Sequence, residues 1–368
     1  MQIDLEPKSL SNLQTGPVLQ QTSYWGQVKK IQGWNCKAFY INLKNRTTTI
    51  RNISKDLLVV SRSIGDNAEL AYIPYGPNIL PQQENRGLLL EELSENLRRY
   101  LSKNCILIRY DLPWRSPWMQ EADCYDENGQ WLGPPEPRVR EFRMNFGTRE
   151  WNLRKAPSDS LPSSTLYIDL KKSEEELLAK MKPKTRYNIN LSRRKSVVVR
   201  EASIEELSVW YDLYCQTAER NRITLHSIDY FISLLKVKEQ YHHPDIQTHL
   251  LLAEVAGEAV AGMFLVISGN QATYLYGASS NNCRNYMGTY SLQWKAICLA
   301  RKAGCTQYDM FGVSQLPHPS HPMYGLYRFK SGFGGSFLHR QGCWDYPLNE
   351  KTYSGFISSE LSMTGYHL

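Results

Sequence analysis

The chain has 368 residues, 42% hydrophobic and 21% charged, which is enough apolar material for packed cores and too little charge for a disordered chain; at roughly 150 residues per domain it has room for two. Its 43 Lys and Arg against 36 Asp and Glu leave +7, a bias toward anionic partners spread too thinly to name one. The opening MQIDLEPKSL lacks a leader, the most apolar stretch (Leu250 to Ile267) is broken by Glu254, Gly257 and Glu258, and the eight cysteines form no CxxC pair, so the expectation is a cytoplasmic protein with reduced thiols and no membrane-spanning helix.

Asp56 to Ser63 and Leu70 to Tyr75 are rich in β-branched and aromatic residues around a turn at Gly65 to Asn67, and they predict neighbouring strands. Leu89, Leu93, Leu97 and Leu101 recur every four residues, the stripe of an amphipathic helix ending near Asn104, and Cys105 to Asp111 (CILIRYD) follows as a buried strand. Trp114 to Ser164, rich in Pro, Trp and polar residues, reads as a long excursion and linker. The first order then returns: strands at Leu250 to Val255, Ala259 to Ile267 and Ala272 to Gly277, a helix carrying Leu292, Ala296, Leu299 and Ala303 and stopped by Gly304, and a strand at Thr306 to Gly312. Asp309 falls where Asp111 stood, and YLYG at Tyr274 answers YIPYG at Tyr72, so the chain reads as a diverged duplication. The predicted fold class is α/β with mixed sheets, two tandem GNAT-like acyltransferase domains. The expected domains are 1–164 and 165–342, with the aromatic tail 343–368 packing back onto the first.

Four segments are candidates for chemistry. Lys180 to Lys195 holds seven Lys or Arg and no acid, which suits a phosphate backbone or, equally, a solvated helix face. Ala218 to Phe231 reads as a polar loop with Thr224, His226 and Tyr230 at even spacing, able to grip a sugar or phosphate, although a lone loop histidine is more often structural. Leu326 to Gly335 (LYRFKSGFGG) places Lys330, a possible oxyanion partner, beside Phe329; the bland alternative is a core Phe and an exposed Lys. His318 and His321 lack a third metal ligand nearby, so no metal is expected. There is no GxSxG, Walker loop or HExxH, and RNYMGTY (Arg284 to Tyr290) has one glycine at the wrong spacing for a pyrophosphate cradle, which argues against CoA as acyl donor.

Taken together, SYWGQVKKIQGW (from Ser23), YIPYGP (Tyr72), IRYDLP (Ile108), MKPKTRYNI (Met181), TAERNRITLHSIDYF (Thr217), YLYGAS (Tyr274), YDMFGV (Tyr308) and GLYRFKSGFGG (Gly325) resemble the FemABX family of peptidoglycan-bridge aminoacyltransferases. The resemblance implies two GNAT-like domains, an aminoacyl-tRNA donor as the sole co-substrate with no cofactor, and UDP-MurNAc-pentapeptide or its lipid-linked form, lipid II, as acceptor. It further implies that Lys29, Thr224, His226, Tyr230 and Tyr276 line the nucleotide-sugar site, that Phe329 and Lys330 match the reaction-centre pair, and that Asp111 matches an acidic residue at a strand end. Lys180, Lys182, Lys184, Arg193, Arg194 and Lys195 are then the tRNA contacts. A monomer that touches the inner membrane face at most peripherally and binds no DNA is expected.

Three features depart from the family pattern. His226 stands where the best-matching motif has Arg, exchanging a permanent cation for one that titrates near neutrality. The Trp114 to Ser164 excursion is long, and no heptad segment separates Ser173 to Val199 from Ile204 to Arg220, so the coiled-coil arm of some members is missing. The competing readings are a GNAT-like N-acyltransferase with another acyl donor and a basic RNA-binding module without catalysis.

Overall fold

A computed structural model describes residues 2–44, 53–65, 67–241, 245–315 and 318–362. Two compact units divide the chain: one takes the start to Gln14, Leu19–Ser163 and everything described from His339 on, the other Thr15–Val18 and Ser164–Leu338.

The first unit opens with β1 (Gln2–Lys8) and α1 (Ser23–Ile31), whose first turn is capped by Thr22 accepting from the Trp25 amide at 3.2 Å. Strands β2 (Asn35–Lys44), β3 (Ile53–Ser63) and β4 (Glu69–Ile73) follow, then α2 (Arg86–Arg98), which buries Leu89, Leu90, Leu93 and Leu97, and β5 (Cys105–Arg115). Residues 114–164 are not a bare linker. They hold α3 (Pro137–Asn145) and the short β6 (Arg154–Lys155), because Met144 reaches the core and Gly87 has no side chain to keep the α3 backbone off α2.

The second unit holds β7 (Ser164–Asp169), α4 (Glu174–Lys180) with a Ser173/Glu176 capping box, α5 (Pro183–Arg194) and β8 (Val198–Ala202). Next come α6 (Leu207–Asn221), α7 (Ile228–Gln240), β9 (Ile246–Val255), β10 (Glu258–Ser268), β11 (Gln271–Ser279), α8 (Gly288–Lys302), β12 (Gln307–Gly312) and α9 (Tyr324–Ser331). The chain continues into β13 (Ser336–Pro347), which lies in the first unit from His339 on, and α10 (Glu350–Ser362).

Each unit carries one sheet of the same design. The first runs β1-β2-β3-β4-β5-β13, the second β8-β9-β10-β11-β12-β7, and in each the one parallel pair (β4/β5, β11/β12) is bridged by the crossover helix α2 or α8. The repeat read from the sequence is therefore a repeat of topology. The sixth strand differs in origin: β7 comes from the front of its unit, β13 from the end of the chain.

One irregularity positions side chains. Phe264 pairs with Tyr276 but Leu265 with Tyr274, so Leu275 is an extra residue in β11. Paired residues share a face, and the bulge therefore sends Tyr276 to the α6/α7 side with Phe264 and Tyr274 to the α8 side with Leu265.

Candidate functional site

The α8 face of the second unit holds the Phe329–Lys330 pair. Phe329 packs edge-on to Tyr290 and Phe333 at ring separations of 5.0 and 5.4 Å. Lys330, at 4% exposure, is not the surface lysine of the bland reading. Its Nζ donates to the Gly312 carbonyl at 2.7 Å and lies 5.2 Å from the Tyr274 ring. Burial lowers its pKa from 10.5 to about 7, against a smaller upward pull from Asp309. Asp309 is itself buried and holds the Thr165 hydroxyl and the Phe311 amide. Gly277 is required here: a methyl group there would overlap the Tyr274 hydroxyl and displace the ring beside Lys330.

The basic segment adjoins this pair. The Lys182 amide donates to the Gly332 carbonyl at 2.9 Å, and Gly334 packs on the Lys180 backbone, so the start of α5 lies against the end of α9. Lys180, Lys182, Lys184, Arg193 and Arg194 are exposed, whereas Lys195 is half-buried and donates to the Asn285 carbonyl at 2.9 Å. Arg186 turns inward onto the carbonyls of Leu178, Ala179 and Met181 at the end of α4. Tyr187, exposed on α5, has Lys184 and Arg194 within 5.2 and 5.6 Å of its ring.

On the opposite face, His226 stacks on Tyr230 (4.4 Å) and meets Tyr276 edge-on (5.7 Å), while the Tyr276 hydroxyl donates to that of Tyr230 at 2.9 Å. The loop is shorter than the sequence suggests: α6 continues through Asn221 and Tyr230 sits in the first turn of α7, leaving 222–227 as loop, with Thr224 exposed on it. Beneath lie Phe231 and Phe264, stacked on each other, with Trp210 edge to face against both. The structure thus brings His226, Tyr230 and Tyr276 together and puts them across the sheet from Lys330.

In the first unit, Lys29 lies 5.1 Å from the Trp25 ring and 5.3 Å from that of Trp34, and donates to Gln32 at 3.0 Å. Burial first, then the nearby Arg62 charge, lowers its pKa to about 8. Arg62, which sequence reasoning passed over, covers the same Trp34 ring at 4.7 Å; the signal available was only an arginine alternating outward on a predicted strand.

Asp111, matched by the resemblance to an acidic residue at a strand end, is entirely buried. One carboxylate oxygen accepts from the Tyr72 hydroxyl (2.7 Å) and the Leu161 amide (2.8 Å), so it is positioned to orient Tyr72 rather than to meet a substrate amine. Burial and the Asp159 charge raise its pKa from 3.8 to about 6. The folded state then holds this proton more tightly than the unfolded chain, and the stability so contributed is complete below about pH 4 and lost as pH rises through about 6. The wild-type-minus-Asp111→Asn stability difference should therefore fall by about 3 kcal/mol between those pH values. Parallel curves in thermal melts would show that Asp111 does not titrate there.

Among the described residues, no group of His, Cys, Asp and Glu is placed to hold a metal, and no helix is long and apolar enough to cross a membrane. In the former CoA-loop candidate, a methyl on Gly288 would strike Val260, so that glycine serves packing against β10.

Residues 11–256 and 247–357 match the sequence profile of the FemAB family. The chain belongs to the FemAB family. This FemAB protein is 23% identical over 249 residues to the lipid II:glycine glycyltransferase of Staphylococcus epidermidis, over 52% of its own length and 60% of that relative's. It therefore spans less than two thirds of the length of the curated relatives it matches. Its fold is similar to the crystal structure of FemX, with a TM-score of 0.70 at 18% identity over 95% of this chain and 96% of that one. A tandem GNAT protein from the clavulanic acid biosynthesis pathway superposes with a TM-score of 0.50 at 11% identity, covering 94% and 98% of the two chains. These two likenesses concern the fold, which is that of tandem GNAT-like units.

Proposed function

We propose that this FemAB protein is a cytoplasmic aminoacyltransferase that moves an amino acid from aminoacyl-tRNA to a side-chain amine on the stem peptide of lipid II or UDP-MurNAc-pentapeptide, a step in peptidoglycan cross-bridge synthesis. The observation that carries it is a nearly buried lysine ammonium, Lys330, set directly beside an exposed basic helix start. That the staphylococcal relatives are lipid II:glycine glycyltransferases supports the lipid-linked acceptor.

In this reaction the acceptor amine attacks the ester carbonyl, a C–N bond forms, the ester C–O bond breaks, and the tRNA ribose hydroxyl leaves with a proton. The amine, with a free pKa near about 10.4, must also lose a proton, to a substrate phosphate or to solvent. Lys330 compensates the tetrahedral oxyanion in a low-dielectric site, where one charge is worth more than in water. Phe329 orients the tRNA terminus, the His226–Tyr230–Tyr276 group of the second unit holds the nucleotide sugar, Lys29 offers a cation for a phosphate on the first unit, and Asp111 acts through Tyr72.

Incubation with charged tRNA and each acceptor should label the pentapeptide. Acetyl transfer from acetyl-CoA instead would make the protein a GNAT-like acyltransferase with another donor, and tRNA binding without transfer would leave a basic binding module. The basic face makes a separate prediction. Replacing Lys184, Arg193 and Arg194 by Gln should raise the KM for aminoacyl-tRNA about tenfold and flatten its salt dependence by roughly 0.7 to 0.9 for each phosphate no longer neutralised, with acceptor KM unchanged. A weakened acceptor affinity with an intact tRNA KM would reverse the assignment.

A further inference from the structure

We propose that the end of β12 is a positioning device for Lys330: Asp309 holds Phe311 in a left-handed conformation, and that turn aims the Gly312 carbonyl at the lysine ammonium. The proposal rests on the reading of Lys330 as the oxyanion partner and adds Asp309 and Phe311 to that site as positioning residues that act through it.

β12 pairs with β11 only through Gln307, Tyr308 and Asp309. Beyond Asp309 it carries one residue more than β7, since Asp309 faces Tyr167 but Gly312 faces Thr165. Phe311, within that interval, has a φ of 58°. Every other non-glycine residue with positive φ among the described residues lies in a turn, a helix cap or a connection, whereas Phe311 stands inside a strand, where a bulky side chain rarely adopts it. Asp309 secures the turn. At 2% exposure, its Oδ1 accepts from the Phe311 amide at 2.8 Å and from the Thr165 hydroxyl. The Gly312 carbonyl, next along the chain, receives Lys330 Nζ at 2.7 Å.

The first unit shows that the topology does not demand this conformation. Opposite β13, β5 also carries an extra residue, since Leu112 faces Gly342 but Arg115 faces Arg340. Two positions after Asp111, as Phe311 is two after Asp309, stands Pro113, whose ring fixes a negative φ and which has no N–H for a carboxylate to accept. Asp111 takes the Tyr72 hydroxyl and the Leu161 amide instead. An unfavourable backbone kept in the unit with the buried lysine, and absent from its counterpart, marks a functional constraint.

The test varies the backbone preference at 311. Phe311→Val places a β-branched residue where positive φ is least tolerated and should swing the carbonyl off Lys330, so kcat is expected to fall at least about tenfold with acceptor KM little changed. Phe311→Gly accepts positive φ freely and should recover most of that loss. A purely packing role gives the reverse order, because Gly removes more of the side chain than Val does. Circular dichroism checks the folds, and Phe311→Ala, with the same bias in milder form, replaces the Val variant if that one does not fold.

The 13Cε resonance of Lys330 in lysine-labelled protein, assigned by its loss in Lys330→Met, reads the positioning without any substrate. Asp309 on β12 is the charge acting on Lys330, and Tyr274 on β11 is its other titratable neighbour. Loss of the carbonyl in Phe311→Val, or of the negative charge in Asp309→Asn, disfavours the ammonium form, and each should lower the Lys330 midpoint by about one pH unit. Phe311→Gly should stay near wild type. Equal midpoints in the Val and Gly variants overturn the proposal whatever kcat does, and so does a Gly variant less active than Val. A midpoint lowered in Val and not in Gly, in a protein that transfers no amino acid, upholds the turn and overturns only the acyl-transfer reading.

Discussion

Lys330→Met is expected to lower kcat by about two to three orders of magnitude with little change in acceptor KM, since removing one preorganised oxyanion partner has effects of that size. Met is the informative replacement because Lys330 is buried. Ala would leave a cavity and cost about 2 kcal/mol or more of stability, confusing lost chemistry with lost fold. Both replacements remove the donor to the Gly312 carbonyl, so a thermal melt must accompany the kinetics. The pH profile supplies an independent readout. With its pKa lowered to about 7 by burial, Lys330 loses its charge as pH rises through neutrality, and kcat should fall on that limb. Lys330→Arg, permanently charged, should move the limb to higher pH. The same lowering makes wild-type stability rise between about pH 7 and the unfolded lysine value near 10.4, a slope the Met variant should lack. An unchanged kcat in Lys330→Met removes this residue from the mechanism.

Arg109→Met should destabilise the first unit by about 3 to 5 kcal/mol, the range for breaking a buried ion pair from one side. The Arg109 guanidinium bonds both oxygens of Asp345 at 2.7 and 2.8 Å and both of Glu360 at 2.8 Å. Asp345 lies on β13 and Glu360 on α10, so this one cation ties the end of the chain to β5. Taking it away strands two carboxylates in a place where Phe356 stacks over the guanidinium and Tyr353 and Ser158 offer the remaining donors. A fall in melting temperature of about 10 °C is expected, with α10 amides exchanging first. Adding Asp345→Asn and Glu360→Gln to the same variant should recover part of the loss, because the cost lies in the uncompensated charges. A melting temperature within about 2 °C of wild type would mean that α10 is held by its apolar contacts alone.

Much of this molecule is local information. The four-residue leucine stripe of α2, the alternating strands and the Gly304 stop after α8 are short-range patterns, and their recurrence in one order is enough to expect two units of one topology and, with the eight motifs, the FemAB family. Residues 114–164 misled because Pro and polar content describe only the outer side of a segment whose Met144 and Asn145 face inward. What the tertiary structure decided is how charge and aromatic groups are surrounded. The Tyr274–Tyr276 spacing promises one shared face, and the extra residue in β11 puts the two rings on opposite faces. Lys330 looks like any surface cation until Tyr274, Gly312 and Asp309 close around it, and Arg109 finds its carboxylates 236 and 251 positions away. Periodicity is set by neighbours along the chain, and so it is written in the sequence. Desolvation and ion pairing are set by whatever the folded chain brings near from far away, and so they appear only once it has folded.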